Sequence, residues 1–373
     1  MTENLQPPAP AHSRARWGVV ALVFFAIMLN YVDRQILALL KPTLETEFAW
    51  SDQDYGNMAS AFQFAAAIAF LGTGWFIDRV GLRIGFAAGV LVWSLAGMAH
   101  AFVSGVTGFI GARVVLGAAE SIGTPAAVKS AATYFGPKDR SIALGIGNTA
   151  PNVGAVITPL VIPALALAFG WRAAFLVAGG LGIVWVVAWF AFKMPAAIAE
   201  TGGPAPIRWV DLFRDRRTLA IAVAKVLSDQ VWFFMLSWLP DLFHRLFGLQ
   251  QGAVGLPVAL VYALLILPVP IVLSLHSPWT AALVLGLGLF AHQGFSTNVF
   301  ALTTDVMPAR SVGSTIGIAA FCGNMGSIGM IQLSAWSLGN GFGYAPMLAI
   351  CAVSYLLALG VVQLLIPRIE PAR

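Results

Sequence analysis

Charge is scarce in this chain. Only 10% of its 373 residues are Asp, Glu, Lys or Arg, against about a quarter in soluble domains. A water-soluble globular domain is excluded on that ground. Cysteine is scarcer still. Cys322 and Cys351 both sit inside apolar segments, so they read as small buried residues, not a disulfide framework or a metal site. No HExxH, no Ser–His pair, no GxGD-like carboxylate arrangement and no Walker-type loop occurs. The chain therefore lacks the marks of a zinc hydrolase, an intramembrane protease or a nucleotide hydrolase, and no cofactor or metal is expected. The net charge of +5 is not a nucleic-acid footprint, because the basic residues lie mainly in short loops and tails, as the positive-inside rule requires.

What is abundant is hydrophobic sequence, 59% of the chain. Apolar runs of about 20 residues recur, each long enough to cross a bilayer. They predict spans at 17–40, 53–77, 84–103, 106–133, 140–168, 172–193, 218–243, 254–276, 279–306, 311–338 and 344–366. Residues 1–16 are polar and Pro-rich, with Arg14 and Arg16 before the first span, and read as a cytoplasmic tail. The first apolar run is too long for a cleaved signal peptide. Residues 194–217 hold Pro195, Gly202, Gly203, Pro204, Arg208, Arg214, Arg216 and Arg217. They read as a cytoplasmic linker. The expected domains are a tail (1–16), a six-helix bundle (17–193), the linker (194–217), a second bundle (218–367) and a short tail (368–373).

Six spans before the linker and five after it is an odd count. Many polytopic membrane folds are built from repeated halves, and a repeat is visible. R-V-V-L-G-A-A-E-S-I-G-T-P from Arg113 precedes Pro137, Arg140 and Ser141. A run ending F-A-H-Q-G-F-S-T-N at Asn298 precedes Pro308, Arg310 and Ser311. The two prolines are 171 residues apart (308 minus 137), where six spans with their loops need about 200. The second half is short by about one span. With a cytoplasmic N-terminus, His244 and Arg245 fall outside, whereas Arg310 and Arg368 prefer the cytoplasm. That requires an even number of crossings between 245 and 278, yet 254–276 reaches only about 37 Å as a helix, enough for one. Either this segment re-enters, with Pro268 and Pro270 breaking it, or it spans and the last three spans are inverted, or the chain is a shortened and impaired copy.

Ionisable residues inside spans are costly and face a cavity or a partner. They cluster here. The first span carries Asn30, Tyr31, Asp33 and Arg34, the fourth Arg113 and Glu120, the seventh Lys225, Asp229 and Trp232, and the span ending near 306 His292, Gln293, Ser296 and Asn298. Arg113 and Glu120 are seven apart, about 10 Å along one helix face, so each needs another partner, and Asp33 is the natural one for Arg113. A carboxylate in such a cavity titrates near neutral pH, as proton coupling requires. A guanidinium there grips a carboxylate in a two-pronged hydrogen bond. Structural ion pairing is the competing reading for Asp33, Arg34 and Glu120. Lys225 and Asp229, four apart, either pair on one helix face or bind solute. His292 titrates or merely packs. Asn148 and Asn152 bind a sugar hydroxyl or bond between helices.

Residues Gly74 to Arg83, G-W-F-I-D-R-V-G-L-R, lie between the second and third spans. Gly74 and Gly81 are expected to let helix ends approach, Asp78 to accept a bond from a neighbouring helix end or basic side chain, and Arg79 and Arg83 to mark the loop as cytoplasmic. This loop resembles the signature loop of the major facilitator superfamily. The N-Y-x-D-R of the first span, the Arg113, Gly117, Glu120 and Pro125 of the fourth, K-V-L-S-D-Q-V-W-F-F with S-W-L-P-D, and A-H-Q-G-F-S-T-N together resemble the anion:cation symporter family, in its hexuronate-transporter-like branch. The resemblance covers 17–260 and 263–367. It implies an all-α polytopic membrane protein with a major-facilitator-type two-bundle transporter fold, a shortened C-terminal half and about 11 spans. It also implies that Asp33 and Glu120 carry protons and that Arg34 holds the substrate carboxylate. Two departures stand out. Part of the eighth span and the following loop are missing after Tyr262, and a tyrosine of the second span is replaced by Ala66.

The expected function is proton-coupled symport of a small organic anion, such as a hexuronate or other sugar acid, by a monomer in the bacterial inner membrane, with the proton favoured over sodium. The substrate-binding set is Arg34, Tyr31, Asn148, Asn152, Lys225, Asp229, Trp232, His292, Gln293, Ser296 and Asn298. Gly74, Asp78, Arg79, Gly81, Arg83 and Arg113 serve structure or gating. The alternative is a transport-impaired or sensory relative that binds without moving its ligand.

Overall fold

Apolar stretches that leave water have to satisfy their backbone internally, which in a single segment means a helix. A computed structural model of the chain describes residues 11–197, 209–250, 253, 255–258, 277–307 and 309–367. Its helices are α1 (Ala11–Phe48), α2 (Asp52–Val80), α3 (Leu82–Ala99), α4 (Val106–Glu120), α5 (Gly123–Tyr134), α6 (Pro137–Phe169) and α7 (Trp171–Ala191). After the linker come α8 (Trp209–Arg214), α9 (Arg216–Phe247), α10 (Pro278–Val306), α11 (Ala309–Gly339) and α12 (Ala345–Leu365). Among the described residues, nine helical stretches are long and apolar enough to cross a membrane, with α4 and α5 counted as one. The protein is a multi-pass α-helical membrane protein.

Local chemistry sets several boundaries. Ser51 caps α2 through a reciprocal bond with Asp54, the arrangement that satisfies two orphan amide donors at once. The α2–α3 turn passes through Gly81 at φ +89°, a conformation that only glycine adopts cheaply. Neither Gly74 nor Gly81 has another atom within 4 Å of where a Cβ would stand. The expected close approach of helix ends through these glycines is therefore absent, and Gly81 serves backbone geometry instead. Asp78 Oδ1 lies 3.3 Å from Lys129 Nζ. Arg83 donates to the Phe190 carbonyl at 2.9 Å, tying the start of α3 to the end of α7. Arg79 lies over the Trp75 ring.

The helices sort into two groups. In the first, α1 packs on α5, α6 and α7, α2 on α4, and α3 on α4 and α7; in the second, α9 packs on α10, α11 and α12. The groups meet mainly where α2 lies along α11 and α1 along α9. Arg217, at the start of α9, donates to the carbonyl of Val306, at the end of α10, at 2.7 Å. Ala281, Ala282 and Leu285 at the start of α10 share a core with Trp238, Leu239 and Leu242 near the end of α9. Helix α10 thus runs antiparallel to α9. The inverted arrangement of the last three spans is not adopted, and the segment between α9 and α10 begins and ends on the same side. A single crossing by the expected eighth span is excluded by that, and residues 259–276 of it lie outside the described residues. Within the expected linker, 198–208 lie outside them too, while α8 forms at its end.

Candidate functional site

The fourth crossing is broken. Helix α4 ends at Glu120 and α5 starts at Gly123. Pro125 accounts for the break: it has no amide hydrogen, and its ring clashes with the carbonyl four residues back, that of Ser121. The freed carbonyls find other donors. Ser121 Oγ donates to Ala118 at 2.7 Å, and Asn30 Nδ2 donates to the Glu120 carbonyl at 3.3 Å. The break leaves the Glu120 side chain at a helix end midway through the crossing.

Glu120 meets Arg34 there. Arg34 Nε donates to Glu120 Oε2 at 2.7 Å, with the two side chains 9% and 0% exposed. The guanidinium also lies over the rings of Tyr31, 4.9 Å from the centroid, and Phe62, at 5.1 Å. These faces hold a cation where water is sparse. The expected pairing of Asp33 with Arg113 is not formed as a contact. Asp33 is buried on another face of α1, against Gly97 of α3. Arg113 is buried, with its Cζ over Phe62. The two are electrostatic neighbours, but no ion pair within 4.0 Å joins them.

A cavity of about 260 Å³ opens beside Arg34 and Glu120. From the first group of helices its wall includes Asn30, Tyr31, Thr124 and Asn148. From the second it includes Lys225, Asp229, Trp232, His292, Ser296 and Asn324. It reaches Val20, Ala131, Ala143, Ile221 and Thr303, near the helix ends that the arginines mark as cytoplasmic. Lys225 Nζ lies 2.7 Å from Asp229 Oδ1. Trp232 stacks on His292, with ring centroids 5.3 Å apart and planes 11° apart. His292 Nδ1 is 2.9 Å from the Tyr355 hydroxyl. Tyr31 and Trp232 face each other across the two groups at 6.3 Å.

The cavity gathers Tyr31, Arg34, Glu120, Asn148, Lys225, Asp229, Trp232, His292 and Ser296 of the residues picked from sequence. It does not gather Asp33, Asn152 or Asn298, and Asn298 donates to the Gly294 carbonyl in its own helix. The Gln293 side chain lies outside what is described. Ala66 is buried away from the cavity. Thr124 and Asn324 were missed, and Asn30, noted in the first span, was left out of the binding set. An asparagine inside an apolar span was the available signal for Asn324.

A family model described as Major Facilitator Superfamily matches residues 23–291. The hexuronate transporter of Escherichia coli (strain K12) is 26% identical over 416 aligned positions, covering 96% of this chain and 96% of the relative. The D-galactonate transporter of Escherichia coli O6:H1 is 24% identical, covering 94% and 97%. The 416 positions exceed the 373 residues of this chain, so the relative carries segments that are missing here. Among solved structures, a bacterial homolog of the human lysosomal transporter Spinster, inward-facing and unoccupied, superposes with a TM-score of 0.78 at 15% identity, covering 96% of this chain and 100% of that one. A D-xylose-proton symporter superposes with a TM-score of 0.71 at 14% identity, covering 92% and 97%.

Proposed function

The chain belongs to the Major Facilitator Superfamily, and from that premise we propose that it is a proton-coupled symporter of a small organic anion in the bacterial inner membrane. The anion is a hexuronate or another sugar acid, and the carrier acts as a monomer. Its working parts are a tail (1–16), a first bundle (17–193), a linker (194–217), a shortened second bundle (218–367) and an end (368–373). The similarity to the hexuronate and D-galactonate transporters supports the substrate class.

One observation carries the coupling: Arg34 and Glu120 are bonded to each other on the cavity wall. While Glu120 is ionised it occupies Arg34. Once Glu120 takes a proton, Arg34 is released and donates to the substrate carboxylate. One anion and one proton then enter together, and no uncompensated charge is buried. Tyr31 and Trp232 offer flat faces to the sugar ring. Asn148, Ser296, His292 and Asp229 offer hydroxyl partners, and Lys225 a further cation. Asp33, buried behind the pair, serves as a second proton carrier. Alternation then moves the site between the two membrane faces.

The test is uptake of labelled glucuronate into proteoliposomes driven by a pH gradient. Glu120→Gln should abolish gradient-driven accumulation. Unchanged accumulation refutes the coupling role, and a sodium gradient that drives uptake in place of protons refutes the proton. The aligned length beyond 373 residues favours one other reading, a relative that binds without transporting. Glucuronate would then raise the melting temperature while counterflow stayed absent.

A further inference from the structure

The end of the molecule away from the cavity mouth is closed by charge. Lys41 of α1 is wholly buried. Its ammonium lies 2.5 Å from Glu45 Oε1, 3.0 Å from Asp52 Oδ1 and 2.8 Å from Asp241 Oδ1. Arg245 of α9 reaches Asp52 at 2.5 Å and Asp241 at 2.8 Å. The Tyr344 hydroxyl, just before α12, donates to Asp241. Lys41 also rests over the rings of Tyr55 and Trp238, and Tyr55 donates to the Ser237 carbonyl at 2.5 Å. The network joins α1 and α2 of the first group to α9 and the start of α12 in the second. It can hold only while the two groups are together at this end.

Among the described residues the titratable groups of the network are Lys41, Glu45, Asp52, Tyr55, Asp241, Arg245 and Tyr344. Glu47 turns away to Trp171 and Arg172, and His244 to the Leu249 carbonyl. Three carboxylates therefore face two cations. Asp52 and Asp241 are each held by both cations. Glu45 has Lys41 alone, and its side chain, 22% exposed, is the most accessible of the three. Glu45 is the acid in excess.

We propose that this outer seal binds a proton at Glu45 as it closes, so that closing is itself a proton-uptake step distinct from the one at Glu120. When the two groups part, the Lys41–Asp241 and Arg245–Asp52 pairs break, Lys41 is left to Glu45 and Asp52 and Arg245 to Asp241, water returns to all five, and Glu45 needs no proton. Bringing them together holds a net negative charge around the buried Lys41 and Asp241, partly out of water, which is costly unless neutralised. A proton from the outer compartment cancels it. By linkage, a form that binds one more proton gains on the other by up to about tenfold per unit fall in pH. The proposal rests on the chain alternating between two faces, as a carrier does, but not on Glu120 carrying a proton.

The experiment reads the outer ends directly. Spin labels replace the exposed Phe102 and Phe342 in a chain whose Cys322 and Cys351 are changed to Ala. Distances are measured in lipid nanodiscs without substrate at several pH values between 5 and 8, and glucuronate uptake is measured on the same protein. The expected result is a short and a long distance, with the short one gaining on the long by up to about tenfold per unit of acidification. Glu45→Gln should hold the short distance at every pH, and Glu120→Gln should keep the slope. Two populations whose ratio ignores pH, or whose slope survives in Glu45→Gln, overturn the proposal while leaving the carrier reading intact. A single distance at every pH with no uptake overturns both.

Discussion

Arg34 and Glu120 sit 86 residues apart and meet as a hydrogen-bonded ion pair at 2.7 Å. One member comes from the middle of α1 and the other from the broken end of α4. The carboxylate is the more deeply buried of the two, and the guanidinium has one edge toward the cavity.

Removing one member of such a pair leaves the other charged and unsolvated. Arg34→Met should destabilise the protein by about 3 kcal/mol. The double change Arg34→Met with Glu120→Gln should recover most of that loss. Thermal unfolding of the two variants in detergent decides it, and additive losses would mean that the pair is not coupled.

Helix α4 rests directly on the backbone of α2. A Cβ on Gly117 would stand 2.3 Å from the Phe62 carbonyl oxygen, whereas one on Gly111 of the same helix meets nothing within 4 Å. Gly117→Ala should cost about 1–3 kcal/mol through overpacking. Gly111→Ala should be neutral or stabilising by up to about 1 kcal/mol, because alanine is the better helix former. Melting temperatures of the two variants should move in opposite directions.

Trp232 lines the cavity and stacks flat on His292. If it is one face of the sugar-ring site, Trp232→Ala should weaken glucuronate binding about tenfold, in line with the 0.5–1.5 kcal/mol of an aromatic contact beyond its buried area. Calorimetric titration measures this. An unchanged affinity removes Trp232 from the site.

Asp215 caps α9, accepting the Arg217 amide at 2.8 Å and the Arg217 guanidinium as well. Partial burial pushes its carboxyl upward, but the bonds from Arg217 outweigh it and hold the carboxyl below its ordinary value. A lowered value in the folded state stabilises the protein above the unfolded value of about 3.9 and is lost as pH falls through the folded one. Asp215→Ala should therefore cost about 1 kcal/mol at pH 7 and progressively less below pH 4. A pH series of melting temperatures for both proteins checks the sign.

The cavity residues were legible because a charge or amide in an apolar run has few reasons to be there. Lys225, Asp229 and Glu120 announce themselves in that way. Which acid meets which base was legible for Lys225 and Asp229, four apart on one helix, but not between helices. Asp33 and Arg34 are consecutive, about 100° apart around the helix axis, and the phase of α1 decides that Arg34 meets Glu120 while Asp33 turns to α3. The outer network was not legible for a different reason. Lys41, Glu45 and Asp52 lie near helix ends, where charges are ordinarily solvated, and their partner Asp241 is 200 residues from Lys41. Only the meeting of the two helix groups makes these charges interior.

Two rods in place of one at the fourth crossing have a mechanical consequence. Ser121 and Ile122 separate them, so α5 takes its own packing against α1 and α6 while α4 keeps its seat on Phe62. The acid at the tip of α4 is thus positioned by the seat of α4 on α2 and not by what α5 packs against.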